Sequence, residues 1–97
     1  MSKTLHGGHQ RFVDRQGQPL DLVLYTTPTC AYCHIVLRKA KQLGFELSQR
    51  DASEPAAYRE LMLAGGMSQV PCLVVNGHAM YESRDIVAYL EGEVRLG

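Results

Sequence analysis

Two cysteines with two residues between them, Cys30 and Cys33, follow an apolar run, Leu20-Asp21-Leu22-Val23-Leu24-Tyr25, and open a second run from Ile35 to Leu43. The first run is apolar almost throughout, as in a strand buried on both faces. The second places Cys33, Val36, Leu37, Ala40 and Leu43 at helical spacing, with Arg38, Lys39 and Lys41 mostly outward and Gly44 suited to the cap. A Cys-x-x-Cys at such a junction puts its first cysteine at a helix N-terminus. Free backbone N–H groups and the helix dipole stabilise a thiolate there. Cys33 stands one turn on, close enough to close a small disulfide, so the two are read as a redox pair. A zinc half-site is the other use of this spacing, but no second Cys-x-x-Cys completes one.

The rest of the chain supplies the frame. Phe45 to Arg50 alternates as a half-buried second strand, parallel to the first because a helix connects them. Ser53 is the expected N-cap of the next helix, with Pro55 in its first turn, Tyr58, Leu61 and Met62 inward, and Gly65-Gly66 ending it. Val70 to Val75 reads as a third buried strand with Pro71 at its entrance. Asn76-Gly77 signals a type I′ hairpin into a short edge strand, His78 to Tyr81. Ser83 is the expected cap of a last helix packed through Ile86, Val87 and Leu90, with Val94 beyond. The order is βαβαββα. Residues 1–19 hold two of the four histidines and a turn-like Asp14 to Pro19, with only Phe12-Val13 able to pack. They read as a flexible or weakly ordered arm ahead of one domain at 20–97; His6 and His9 are taken as residues of that polar arm rather than as metal ligands.

A chain of 97 residues makes one domain. Ten Lys and Arg balance ten Asp and Glu, so no electrostatic footprint for nucleic acid or an anionic membrane follows. No apolar run approaches the roughly 20 residues that span a bilayer. The first residues lack the apolar core of a secretory signal. The expected compartment is therefore reducing and cytoplasmic, where Cys-x-x-Cys is catalytic or metal-binding more often than structural.

In order and spacing, Cys30-Ala31-Tyr32-Cys33, Gln69-Val70-Pro71, Asn76-Gly77 and Glu82-Ser83 resemble the glutaredoxin family of the thioredoxin superfamily. The resemblance covers about residues 20–92. It implies an α/β, thioredoxin-like fold with a four-stranded mixed sheet flanked by helices. It also implies a glutathione-dependent oxidoreductase that reduces protein disulfides or glutathione mixed disulfides. Cys30 is then the nucleophile and Cys33 the resolving thiol, with glutathione as co-substrate and the protein a monomer. By the same likeness Pro71 is cis and faces the redox pair, and Val70 offers its main chain to the tripeptide. Tyr32 and Gln69 border it; Ser83 takes the γ-glutamyl carboxylate and Glu82 the amino group. A plain trans proline and an unliganded helix cap are the structural alternatives at these two places.

Four features depart from the family pattern or stand beside it. Ala31 occupies a position where many dithiol members have proline. That keeps open a [2Fe–2S] carrier dimer, ligated by Cys30 and glutathione. The stretch just before Cys30, Tyr25 to Thr29, offers no lysine, so the glycine carboxylate of glutathione is unassigned; Arg59 is one candidate, and Arg84 a further polar residue of the site. A glutathione-binding module without catalysis is the third reading. Cys33-His34 also completes a c-type haem motif, which the strand-rich pattern disfavours; His34 is read as a helix residue near the pair. Cys72 is read as a small buried hydrophobe.

Overall fold

The computed structural model describes residues 10–97. At its centre Leu22–Thr26 (β3) runs parallel to Ser48–Asp51 (β4) and antiparallel to Cys72–Val75 (β5), and His78–Met80 (β6) closes the far edge; Phe12–Val13 (β1) and Pro19–Leu20 (β2) lie apart from this sheet. The helices are Ala31–Gln42 (α1), Pro55–Gly65 (α2) and Ser83–Glu93 (α3). From β3 onward the order is βαβαββα, with the four-stranded mixed sheet expected from the pattern.

Alternation along β3 sorts the core into two layers. Leu22 and Leu24 point to one face, where Val36, Ala40, Ile86, Leu90 and Leu73 cover them. Tyr25 points to the other and meets Ala57, Leu61, Cys72 and Val74. Burying apolar area at about 25 cal/mol per Å² makes these layers the main favourable term of folding. Across the surface Lys39 pairs with Glu91 at 2.8 Å, joining α1 to α3. Arg50 grips Glu60 through two nitrogens at 3.0 and 2.7 Å, and Tyr25 donates to the same carboxylate at 3.0 Å. That cluster ties β3, β4 and α2 together, and burial first, then Glu60, pushes the Tyr25 phenol up to about 12.

Turn chemistry is as the residues dictate. Asn76 and Gly77 both take positive φ, 50° and 84°, as a type I′ turn requires. The Asn76 amide donates to the Asp21 carbonyl and its side-chain oxygen accepts from the Asp21 amide, fixing the hairpin against the start of β3. Gly66 ends α2 in the left-handed region at φ 78°.

Several local expectations are corrected. The second strand starts at Ser48 rather than Phe45. The Phe45 amide still bonds to the Ala40 carbonyl at the end of α1, and its ring meets Phe12 edge-on at 5.4 Å. Ser53 does not cap α2: Glu54 holds the N-cap, while Ser53 donates to Asp51 Oδ1 from both its amide and its hydroxyl. The inner face of α2 is Ala57 and Leu61; Tyr58 is exposed. Likewise Glu82, not Ser83, is the N-cap of α3.

The largest difference concerns the N-terminal arm. Phe12–Val13 (β1) pairs with Pro19–Leu20 (β2) and, on its other side, with Arg95–Leu96 (β7) near the C-terminus. Asp14 Oδ1 accepts from the amides of Gln16 and Gln18 to shape the turn, and Phe12 is buried in the main core. Packing therefore begins by Phe12, ahead of residue 20. His6 and the rest of residues 1–9 lie outside the described part.

Candidate active site

Topology gathers the site at one end of the sheet. The carboxyl end of β3 leads through Thr27-Pro28-Thr29 into α1. Because β5 is antiparallel, its entrance lies at that same end, with Cys72 opposite Tyr25. The exit of β6 lies there too, since Met80 pairs with Leu73, and Tyr81 to Arg84 follow.

Cys30 is the N-cap of α1, and its Sγ accepts the Cys33 amide at 3.0 Å. No acidic residue lies in the first turn to offset the dipole. The arrangement favours negative charge on this sulfur once the bond to Cys33 is reduced. Cys30 and Cys33 are joined as a disulfide with Cα atoms 5.2 Å apart. Cys33 is buried at 1% exposure, whereas Cys30 is only half-buried. One sulfur can therefore meet an incoming molecule and the other cannot.

The Val70–Pro71 peptide is cis, as the resemblance implies. Beside it a cleft of about 440 Å³ is lined by Tyr32, Gln69, Val70, Pro71, Glu82 and Ser83, joined by Tyr81 and Arg84. The six residues singled out in the sequence, drawn from three separate segments, share this one cleft. Gln69 Nε2 donates across it to Glu82 Oε2 at 3.4 Å. Glu82 makes no side-chain cap bond to its own helix, and its carboxylate meets Gln69 in the lining of the cleft. Arg84 supplies a cation there; Arg59 is not among the lining residues.

Tyr81 went unnoticed in the sequence, where it reads only as the end of an edge strand. An aromatic hydroxyl just before Glu82-Ser83 was the available signal. On the other side of Cys33 a smaller cleft of about 220 Å³ holds His34, Thr26, Thr27, Gln49 and Asp51. A roomier groove, about 620 Å³, lies at the far end of α1 around Gln10, Lys41 and Phe45, and no thiol lines it. Among the described residues no three His, Cys, Asp or Glu side chains converge as a metal-ligand set.

Cys72 follows Pro71 yet points into the α2 layer with no exposure, and burial pushes its thiol up to about 11. With so little thiolate and no access it should resist alkylation. Iodoacetamide at pH 8 is expected to label Cys30 first in the reduced protein, and Cys72 only after unfolding, as peptide mass mapping would read. Labelling of Cys72 at the rate of a free thiol in the folded protein contradicts this.

The glutaredoxin family model matches residues 22–80, well over half of the chain. The chain belongs to the glutaredoxin family. The matched span runs from β3 to β6 and so includes the cysteine pair and the cis proline. The fold is also similar to two solved glutathione transferases. One is from Bombyx mori, in complex with GTT, at 24% identity and a TM-score of 0.58. The other is a delta-class enzyme from Nilaparvata lugens at 32% identity and a TM-score of 0.59. Each alignment covers 71% of this glutaredoxin-family chain and 34% of the transferase, so the likeness spans about a third of those proteins.

Proposed function

We propose that this glutaredoxin-family protein is a glutathione-dependent thiol–disulfide oxidoreductase. One observation carries the reading: an accessible cysteine at a helix N-terminus is bonded to a buried one, beside a cleft walled by a cis proline and a second helix N-terminus. In the reduced enzyme the Cys30 thiolate attacks a glutathione mixed disulfide. The bond to the substrate sulfur breaks, that sulfur leaves as a thiolate and is protonated, and glutathione remains on Cys30. A second glutathione thiolate then attacks, releasing glutathione disulfide and restoring Cys30. With a protein disulfide, Cys33 loses its proton and attacks Cys30 instead, forming the bond seen here and freeing the reduced protein.

In this reading the Val70 main chain pairs with the extended tripeptide. The α3 N-terminus with Ser83 takes the γ-glutamyl carboxylate, Glu82 its amino group, and Tyr32, Gln69 and Pro71 frame the rest. Disulfide-containing or glutathionylated proteins are the partners, the enzyme acts as a monomer, and a reducing compartment such as the cytoplasm suits it. The likeness to glutathione transferases supports the choice of ligand. A cluster carrier would draw on Cys30 alone from this chain, with Cys33 buried.

Binding of S-methylglutathione, which cannot exchange, tests the assignment by calorimetry. Wild type is expected to bind it, and Glu82→Gln to bind about tenfold more weakly, the effect of losing one charged hydrogen bond. The α3 start survives the substitution because that carboxylate makes no cap bond. Equal binding by both proteins, or none by wild type at millimolar ligand, refutes it.

A further inference from the structure

Two segments joined by the β5–β6 hairpin wall the cleft. One is the loop Met67 to Pro71 between α2 and β5, which lines it through Gln69, Val70 and Pro71, and the other is Tyr81 to Arg84 between β6 and α3. Apart from the long Gln69–Glu82 contact, side-chain bonds between them come from one group. The Tyr81 hydroxyl donates to the Met67 carbonyl and accepts from the Met67 amide, both at 3.1 Å. Both main-chain polar groups of one loop residue are thus met by a single side chain, two positions before Gln69.

The last turn of α2 is shaped around the same hydroxyl. A Cβ built on Gly65 would overlap the Tyr81 hydroxyl and fall 2.6 Å from Ala79 Cβ and 2.7 Å from Tyr81 Cζ. Gly66 then turns the chain out of the helix at φ 78°. A side chain at position 65 would displace the ring that holds Met67.

We infer that Tyr81 is a positioning residue that sets the spacing between the two walls of the cleft, and so the fit of the peptide part of the substrate. The inference rests on the proposed glutathione reading. The Tyr81 hydroxyl bonds to Met67 rather than to either cysteine, so it acts through the backbone of Met67 on Gln69 and Val70. Its effect should therefore fall on binding of a peptide-bearing disulfide and leave the reactivity of Cys30 alone.

Tyr81→Phe keeps the ring and removes both bonds, so the fold is retained. KM for a glutathione mixed disulfide should rise about three- to tenfold, as for one or two lost hydrogen bonds, with kcat at saturation little changed. Reduction of a small aromatic disulfide without peptide groups, and alkylation of Cys30, should proceed at wild-type rates. Amide hydrogen exchange at residues 67–70 should quicken. An unchanged KM, or equal losses on both disulfides, overturns the inference, the latter because it marks general loosening. If wild type itself does not turn over the mixed disulfide, the functional reading fails, and exchange alone judges Tyr81: faster exchange in Tyr81→Phe upholds its role and unchanged exchange ends it.

Discussion

Cys30→Ser should reduce turnover of a glutathione mixed disulfide by roughly 10³-fold or more, as loss of a nucleophile generally does. A hydroxyl at this helix terminus does not ionise near neutral pH and cannot form the mixed disulfide. Cys33→Ser should behave oppositely and keep activity on the same substrate within about tenfold, because free glutathione can resolve Cys30 without a second protein thiol. The same variant should lose reduction of a protein disulfide, where the buried Cys33 must displace the leaving chain. The asymmetry follows from burial: Cys30 is reachable and Cys33 is 1% exposed. Steady-state rates of both variants on both substrate types check it. Loss of mixed-disulfide turnover in both variants would mean that the dithiol cycle is obligatory.

Leu24→Ala should cost about 2–5 kcal/mol, a large share of the roughly 5–15 kcal/mol available to a domain of this kind. Leu24 has no exposure and lies on the strand flanked by both β4 and β5. Its face is sealed by Val36 and Ala40 of α1 and by Ile86 and Leu90 of α3, so the cavity cannot collapse without moving the helix that carries Cys30. Urea melts should show a lower midpoint at unchanged slope. Leu63→Ala, on a side chain 88% exposed, should shift stability by no more than about 0.5 kcal/mol and serves as the control. A loss below about 1 kcal/mol at Leu24 would contradict the packing described.

What the sequence made legible divides along the range of the forces involved. Local signals held up well. Asn76-Gly77 needs two positive φ values and gets them; Gly66 ends α2; Val36, Ala40, Ile86 and Leu90 repeat at helical spacing and are buried. Strand pairing across the chain was harder to read. Phe12 belongs to a two-residue strand, too short to show a period, and its partner Arg95–Leu96 is at the other end of the sequence. Phe45 carries the alternation of a strand but spends its amide on the end of α1.

Caps show a subtler limit. Ser53 and Ser83 have the side chains that capping favours, yet Glu54 and Glu82 hold the positions. At Ser53 the competing acceptor Asp51 explains the shift. In the cleft, Tyr32, Gln69, Val70, Pro71, Glu82 and Ser83 could be named from motif order, since each sits at the edge of a recognisable element. Tyr81 could not, because its role depends on a loop whose approach is set by α2 and Gly65. Arg84, named in the sequence only as a further polar residue, lines the same cleft.

The most direct test of the redox assignment is reduction of a glutathione mixed disulfide by the wild-type protein with glutathione as the sole reductant, followed by coupling glutathione disulfide to a reporter enzyme. Saturable turnover above the uncatalysed exchange, with a single glutathione trapped on Cys30 in the Cys33→Ser variant, is the expected result. Turnover no faster than that of glutathione alone, with no adduct on Cys30, would contradict it.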